Sequence, residues 1–66
     1  MGRNSYTEVA VEFVHQTDSA VLVKDGDSKV WIPKSLIEEE VDEALEEGNM
    51  VELSVKEWFA EKQGMI

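Results

Sequence analysis

The chain contains no cysteine. For a sequence of 66 residues this is a severe constraint. A domain of that size buries only about 60% of the surface its unfolded chain exposes, so its core is marginal by itself. Without thiols, neither a disulfide nor a thiolate zinc site can supplement that core. The single histidine leaves a structural zinc ion dependent on carboxylates, which such sites seldom use. Stability must come from apolar side chains drawn from most of the chain, or from a partner. With 42% hydrophobic and 32% charged residues, the composition suits a folded domain rather than a disordered one.

Periodicity shows where those apolar residues lie. Residues 1–5 are polar and expected to fray, leaving residues 6–66 as one domain. From Tyr6 the pattern alternates: Val9, Val11 and Phe13 fall on one side, and Glu8, Ala10 and Glu12 on the other, as in a strand with one face on a core. Gln16-Thr17-Asp18-Ser19 is turn chemistry. Ala20-Val21-Leu22-Val23 is apolar on both faces, the pattern of a central covered strand. Asp25-Gly26-Asp27-Ser28 signals a hairpin, and Val30-Trp31-Ile32 forms a third strand stopped by Pro33, which has no amide to donate. Val51, Leu53 and Val55 alternate with Glu52, Ser54 and Lys56 as a fourth strand. The core expected from these phases is Val9, Val11, Phe13, Leu22, Ile32, Val41, Leu53 and Val55.

Two Ser-x-x-Glu strings, Ser35 to Glu38 and Ser54 to Glu57, match capping boxes at the start of helices. The first predicts a helix over residues 36–47, with Ile37, Val41, Ala44 and Leu45 on one face and Gly48 at its C-terminal stop. A strand or irregular segment through Leu36 to Val41 is the rival reading, because four carboxylates in five positions is not a helix-specific pattern. The second opens a short helix through Trp58-Phe59-Ala60 that Gly64 closes, with Met65 making the accompanying apolar contact. The expected fold class is α+β: a small four-stranded antiparallel sheet, curled or barrel-like, in the order β-β-β-α-β-α with two short helices.

The net charge of −9 is unevenly spread. Residues 1–37 contribute −1, residues 38–47 contribute −7 with no base among them, and residues 48–66 contribute −1. Such a balance argues against ordinary duplex DNA binding, which depends on neutralising phosphates. In the helical phase Glu39, Asp42, Glu43 and Glu46 share the solvent face. A patch of one sign either keeps a small protein soluble or steers it onto a basic surface. Trp31 is out of phase with Val30 and Ile32. It is expected to pack against Trp58, Phe59 or the helix at 36–47. Exposed instead, and flanked by Lys34, Lys29 and Lys24, it would make a minimal base-stacking site. His15 has no nucleophile or acid arranged around it, and Asp25-Gly26-Asp27 lacks the spacing of a calcium loop. No phosphate loop, nucleophile elbow or metal-binding His pair occurs, so neither an enzymatic activity, a metal nor a cofactor is expected. The longest apolar run, Ala20 to Val23, is far too short for a membrane span, and a cytoplasmic location is expected.

Val30-Trp31-Ile32-Pro33-Lys34-Ser35 and Glu57-Trp58-Phe59-Ala60-Glu61-Lys62-Gln63-Gly64 resemble segments of small uncharacterised proteins common in bacteriophage and prophage genomes. In those, a W-I/L-P-K/R-S string is followed, after an acidic stretch, by a terminal E-W-L-A-x-x-x-G element. The likeness covers roughly residues 20–66, and this chain departs from it in having Lys56 where a proline is usual. The resemblance implies an origin in a mobile element and a role as an accessory factor, and it implies no reaction. The expectation is a non-enzymatic accessory protein that binds a basic protein through its acidic face at Glu39, Asp42, Glu43 and Glu46, with Trp31 and Lys34 nearby. The alternative is a small barrel that binds single-stranded nucleic acid through Trp31 and the neighbouring lysines.

Overall fold

Alternating side chains turn four stretches of the chain into strands, and a computed structural model describes them within residues 5–66. They are β1 (Tyr6–Gln16), β2 (Ala20–Asp25), β3 (Ser28–Pro33) and β4 (Met50–Lys56), followed by one helix, α1 (Glu57–Lys62). The sheet is antiparallel throughout, in the order β3-β2-β1-β4. The expected flexible N-terminus falls mostly on residues 1–4, outside the described residues; Ser5 belongs to the fold, its carbonyl accepting the Glu57 amide at 2.9 Å.

The hairpin between β2 and β3 follows from its glycine. Asp25 pairs with Ser28, and Gly26 takes a φ of 62° while, among the described residues, no non-glycine residue has a positive φ. A glycine at the first central position is the requirement of a type II′ turn, whose twist matches that of the strands. At the end of β3, Pro33 stops the ladder and a single 3-10 turn, Lys34–Leu36, follows. Ile37 then forms an antiparallel bridge with Val55, and the Glu38 amide donates to the Ser54 carbonyl at 2.8 Å. In a flat sheet, three strand spacings of about 4.8 Å would separate β3 from β4, or about 14 Å. A 3-10 turn rises only about 2.0 Å per residue, so the four steps from Pro33 to Ile37 fall short of that distance. The sheet therefore curls until its two edges approach at this end. It does not close into a barrel, since β3 and β4 remain its edges.

The helix expected over residues 36–47 does not form. After Ile37 the chain is irregular as far as Asn49, so the rival reading of this stretch is the correct one. The like charges that would stack at i,i+4 disfavour a helix, and extended pairing of Ile37 with β4 offers its backbone other partners. Neither capping box is realised. Ser35 lies inside the 3-10 turn, Ser54 lies inside β4, and neither the 3-10 turn nor α1 has a side-chain cap. The C-terminal end of α1 matches expectation. The Met65 amide reaches the Ala60 carbonyl at 2.8 Å and the Gly64 amide reaches that of Glu61 at 3.1 Å, with Gly64 at φ 73°. This paired 6→1 and 5→2 arrangement is a Schellman motif, and Met65 packs on the core as its apolar contact.

The core fills the inner face of the curl. Val9, Val11, Phe13, Ile32, Leu53 and Val55 are buried as expected. They are joined by Val21, Val23, Val30, Ile37, Phe59 and Ala60, the last two supplied by α1. Leu22 and Val41, assigned to the core from their pattern, are half-buried. Leu22 alternates with the buried Val21 and Val23 and so points to the outer face, while Val41 packs at the margin of the inner one.

Candidate functional site

Two surfaces carry chemistry, on opposite sides of the sheet. The first is the acidic segment 38–47. Its apolar residues Val41 and Leu45 pack against the inner core, which holds the segment on that side. All seven of its carboxylate residues are exposed. The backbone beneath them is pinned along its length. Both oxygens of Glu39 accept the Ser54 amide, at 3.2 and 3.3 Å. Gln16 Nε2 donates to the Asp42 carbonyl at 3.0 Å, and Asp42 Oδ1 accepts the Ala44 amide at 2.8 Å. Asn49 Oδ1 accepts the Glu46 amide at 2.9 Å. The Phe13 backbone then exchanges bonds with Asn49 and Gly48, at 2.7 and 2.9 Å, where Gly48 takes a φ of 98°. Asp42 and Asn49 thus do locally, and Gln16 and Glu39 across the fold, what helical bonds were expected to do.

Beside this segment lies a shallow groove of about 180 Å³. Val41, Leu45, Val51 and Leu53 form its apolar part, and Glu39, Glu40, Asp42 and Glu52 surround it. A second depression, of about 420 Å³, places Lys34 with Ile37, Val41 and the carboxylates of Glu38, Glu39, Glu40 and Glu43. Among the described residues, no three His, Asp or Glu side chains gather closely enough to hold a metal ion. No helix of those residues is long and apolar enough to cross a membrane.

The second surface is the outer face of the sheet around Trp31. Val30 and Ile32 point inward, so Lys29 and Trp31 point outward from β3. Trp31 is 49% exposed, contrary to the expectation that it would pack against Trp58, Phe59 or residues 36–47. Trp58 instead meets the Phe59 ring edge-on, with centroids 5.9 Å apart. Across the ladder, Leu22 stands opposite Trp31 and Lys24 opposite Lys29. A bulge in β1 completes the cluster. The register with β2 shifts between Phe13 and His15, reversing the inward–outward phase of the residues beyond it. His15 is thereby brought opposite Leu22, and its ring lies edge-on to Trp31 with centroids 6.5 Å apart. The same shift gives Gln16 its contact with Asp42 on the acidic segment.

The six residues singled out from sequence therefore separate into two groups. Glu39, Asp42, Glu43 and Glu46 lie on the acidic segment, and Lys34 lines the second depression beside it. Trp31 belongs to the outer face with Lys24 and Lys29. Lys34 does not join that group, because β3 ends at Pro33 and the following turn carries Lys34 away from the outer face. Sequence reasoning missed His15, Gln16 and the groove. The apolar outer positions Ala20 and Leu22 were a visible signal of the outer face, whereas a bulge in β1 has no residue-type signature here. Comparison with known protein families, with curated proteins and with solved structures finds no match to this chain.

Proposed function

We propose that the protein is a non-enzymatic accessory module that docks a basic protein partner through the acidic segment 38–47. The observation that carries this reading is the groove in which Val41, Leu45, Val51 and Leu53 lie among four carboxylates. Such a groove suits a partner that presents an apolar or long aliphatic side chain within a cationic surround. Long Lys and Arg side chains do both, with an apolar stem and a charged head. The single sign of the surrounding field steers the encounter and repels acidic competitors. Pinning of the segment backbone reduces the ordering cost of binding. An accessory role with an origin in a mobile element is what the sequence resemblance implies for such a module.

The test is charge reversal at Glu40, Glu43, Glu46 and Glu47, four exposed positions whose side chains take no part in the bonds that pin the segment. Glu39 and Asp42 are left intact because their carboxylates satisfy backbone amides. Purified protein is used to capture partners from a host lysate, and carbodiimide then couples its carboxylates to partner lysines. The parent is expected to form salt-sensitive complexes with linkages mapping to residues 38–47, and the reversed variant to lose them. Partners retained by the reversed variant, with linkages elsewhere, would refute the reading.

A further inference from the structure

The outer sheet face holds a second site that the acidic segment does not explain. Lys24 and Lys29 stand directly opposite one another on β2 and β3. Like charges in that position destabilise a sheet. In a chain with only six basic residues against fifteen acidic ones, this places two of its few cations together. The next outward positions along these strands carry Leu22 and the half-exposed Trp31, with His15 edge-on beyond. Glu12 faces Lys24 from β1, whereas Lys29 lies on the edge strand with Lys24 as its cross-strand neighbour. The acidic segment packs against the inner core, so its field originates on the other side of the sheet.

We infer that this face binds single-stranded nucleic acid, with one base stacked on Trp31 and the adjoining phosphates beside Lys29 and Lys24. An indole on an open strand offers a π-face to any base, and pairing of β3 with β2 holds that strand in place. Two cations are too few to hold a duplex by its phosphates, whereas a single strand gains affinity from stacking as well as charge. An acidic peptide would satisfy the lysines but leave the indole without a planar partner. With two phosphates neutralised on a single strand, log K should fall with log salt at a slope of about −1.4. Two phosphate contacts make the site weak, and release of the counterions on those phosphates favours binding most at low salt, the condition in which it is measured.

The experiment titrates the full chain into a short fluorescein-labelled thymidine oligonucleotide at low salt and follows anisotropy. Trp31→Ala should weaken binding roughly 5- to 150-fold, the range that one stacked base is worth. Trp31→Phe retains an aromatic face and should restore binding to within a few-fold of the parent. Replacing Lys24 and Lys29 together by Gln should bring the salt slope close to zero. Circular dichroism confirms that each variant is folded. A parent that fails to bind the oligonucleotide at low salt overturns the proposal. So does binding indifferent to Trp31→Ala, or displacement of the oligonucleotide by an equal concentration of a polyglutamate peptide. None of these results depends on the acidic segment, so this site and the docking reading above fail separately.

Discussion

Removing the Phe13 ring should bring the whole fold close to its limit. Phe13 is 4% exposed, on the inner face of β1, which pairs with both β2 and β4. Its backbone also anchors the end of the acidic segment through Asn49 and Gly48. Truncating a buried Phe to Ala costs about 3–5 kcal/mol from lost transfer energy and the cavity left behind. At roughly 0.05–0.15 kcal/mol per residue, the whole 66-residue chain has about 3–10 kcal/mol to lose. Each kcal/mol moves the midpoint of a domain this small by about 4–8 °C, so the expected fall is about 12–40 °C. Urea unfolding followed by tryptophan fluorescence, with thermal unfolding by circular dichroism, measures both quantities. Phe13→Leu retains part of the ring's volume and should stay folded with a smaller loss, which secures a reading if the Ala variant does not fold. The contrast is Trp31→Ala, which removes a larger side chain from a half-exposed site and should cost only about 1 kcal/mol. A Phe13→Ala protein that melts cooperatively within a few degrees of the parent refutes the inward phase of β1. A Trp31→Ala loss as large as that of Phe13→Ala refutes the exposure of the outer face.

Gly64→Ala should lower the melting midpoint by roughly 4–15 °C, corresponding to the 1–2 kcal/mol cost of a left-handed residue with a Cβ. The added methyl meets nothing within 4 Å, so a drop in this range isolates the backbone conformation at φ 73° as the cause, and an unchanged midpoint would argue against the Schellman end of α1. Added sodium chloride should raise the urea midpoint at constant slope, because a net charge of −9 with seven carboxylates exposed on one segment is self-repulsive and salt screens it. A midpoint that falls with salt would place those carboxylates in attractive contacts instead.

The sheet was legible in the sequence because its information is local. Val9, Val11 and Phe13 alternate with Glu8, Ala10 and Glu12, and Leu53 and Val55 with Glu52, Ser54 and Lys56, so a strand with one buried face follows from period two alone. Gly26 and Gly64 mark their turns because few other residues tolerate a positive φ. The out-of-phase position of Trp31 was equally visible, but its exposure was not: whether another element covers the outer face is a property of the assembled molecule. The absent helix shows the same division. Residues 36–47 have a helical apolar spacing, yet Ile37 and Glu38 find backbone partners on β4, a strand that begins at Met50. That competition is decided only when the sheet curls and brings its two edges near each other. The bulge after Phe13 is decided there too. One extra residue in β1 turns His15 outward to Trp31 and gives Gln16 its bond to Asp42, 26 residues away in sequence. Period and turn chemistry act within a few residues and determined the strands. Register and long-range pairing depend on chain segments meeting in space, and they determined what those strands display.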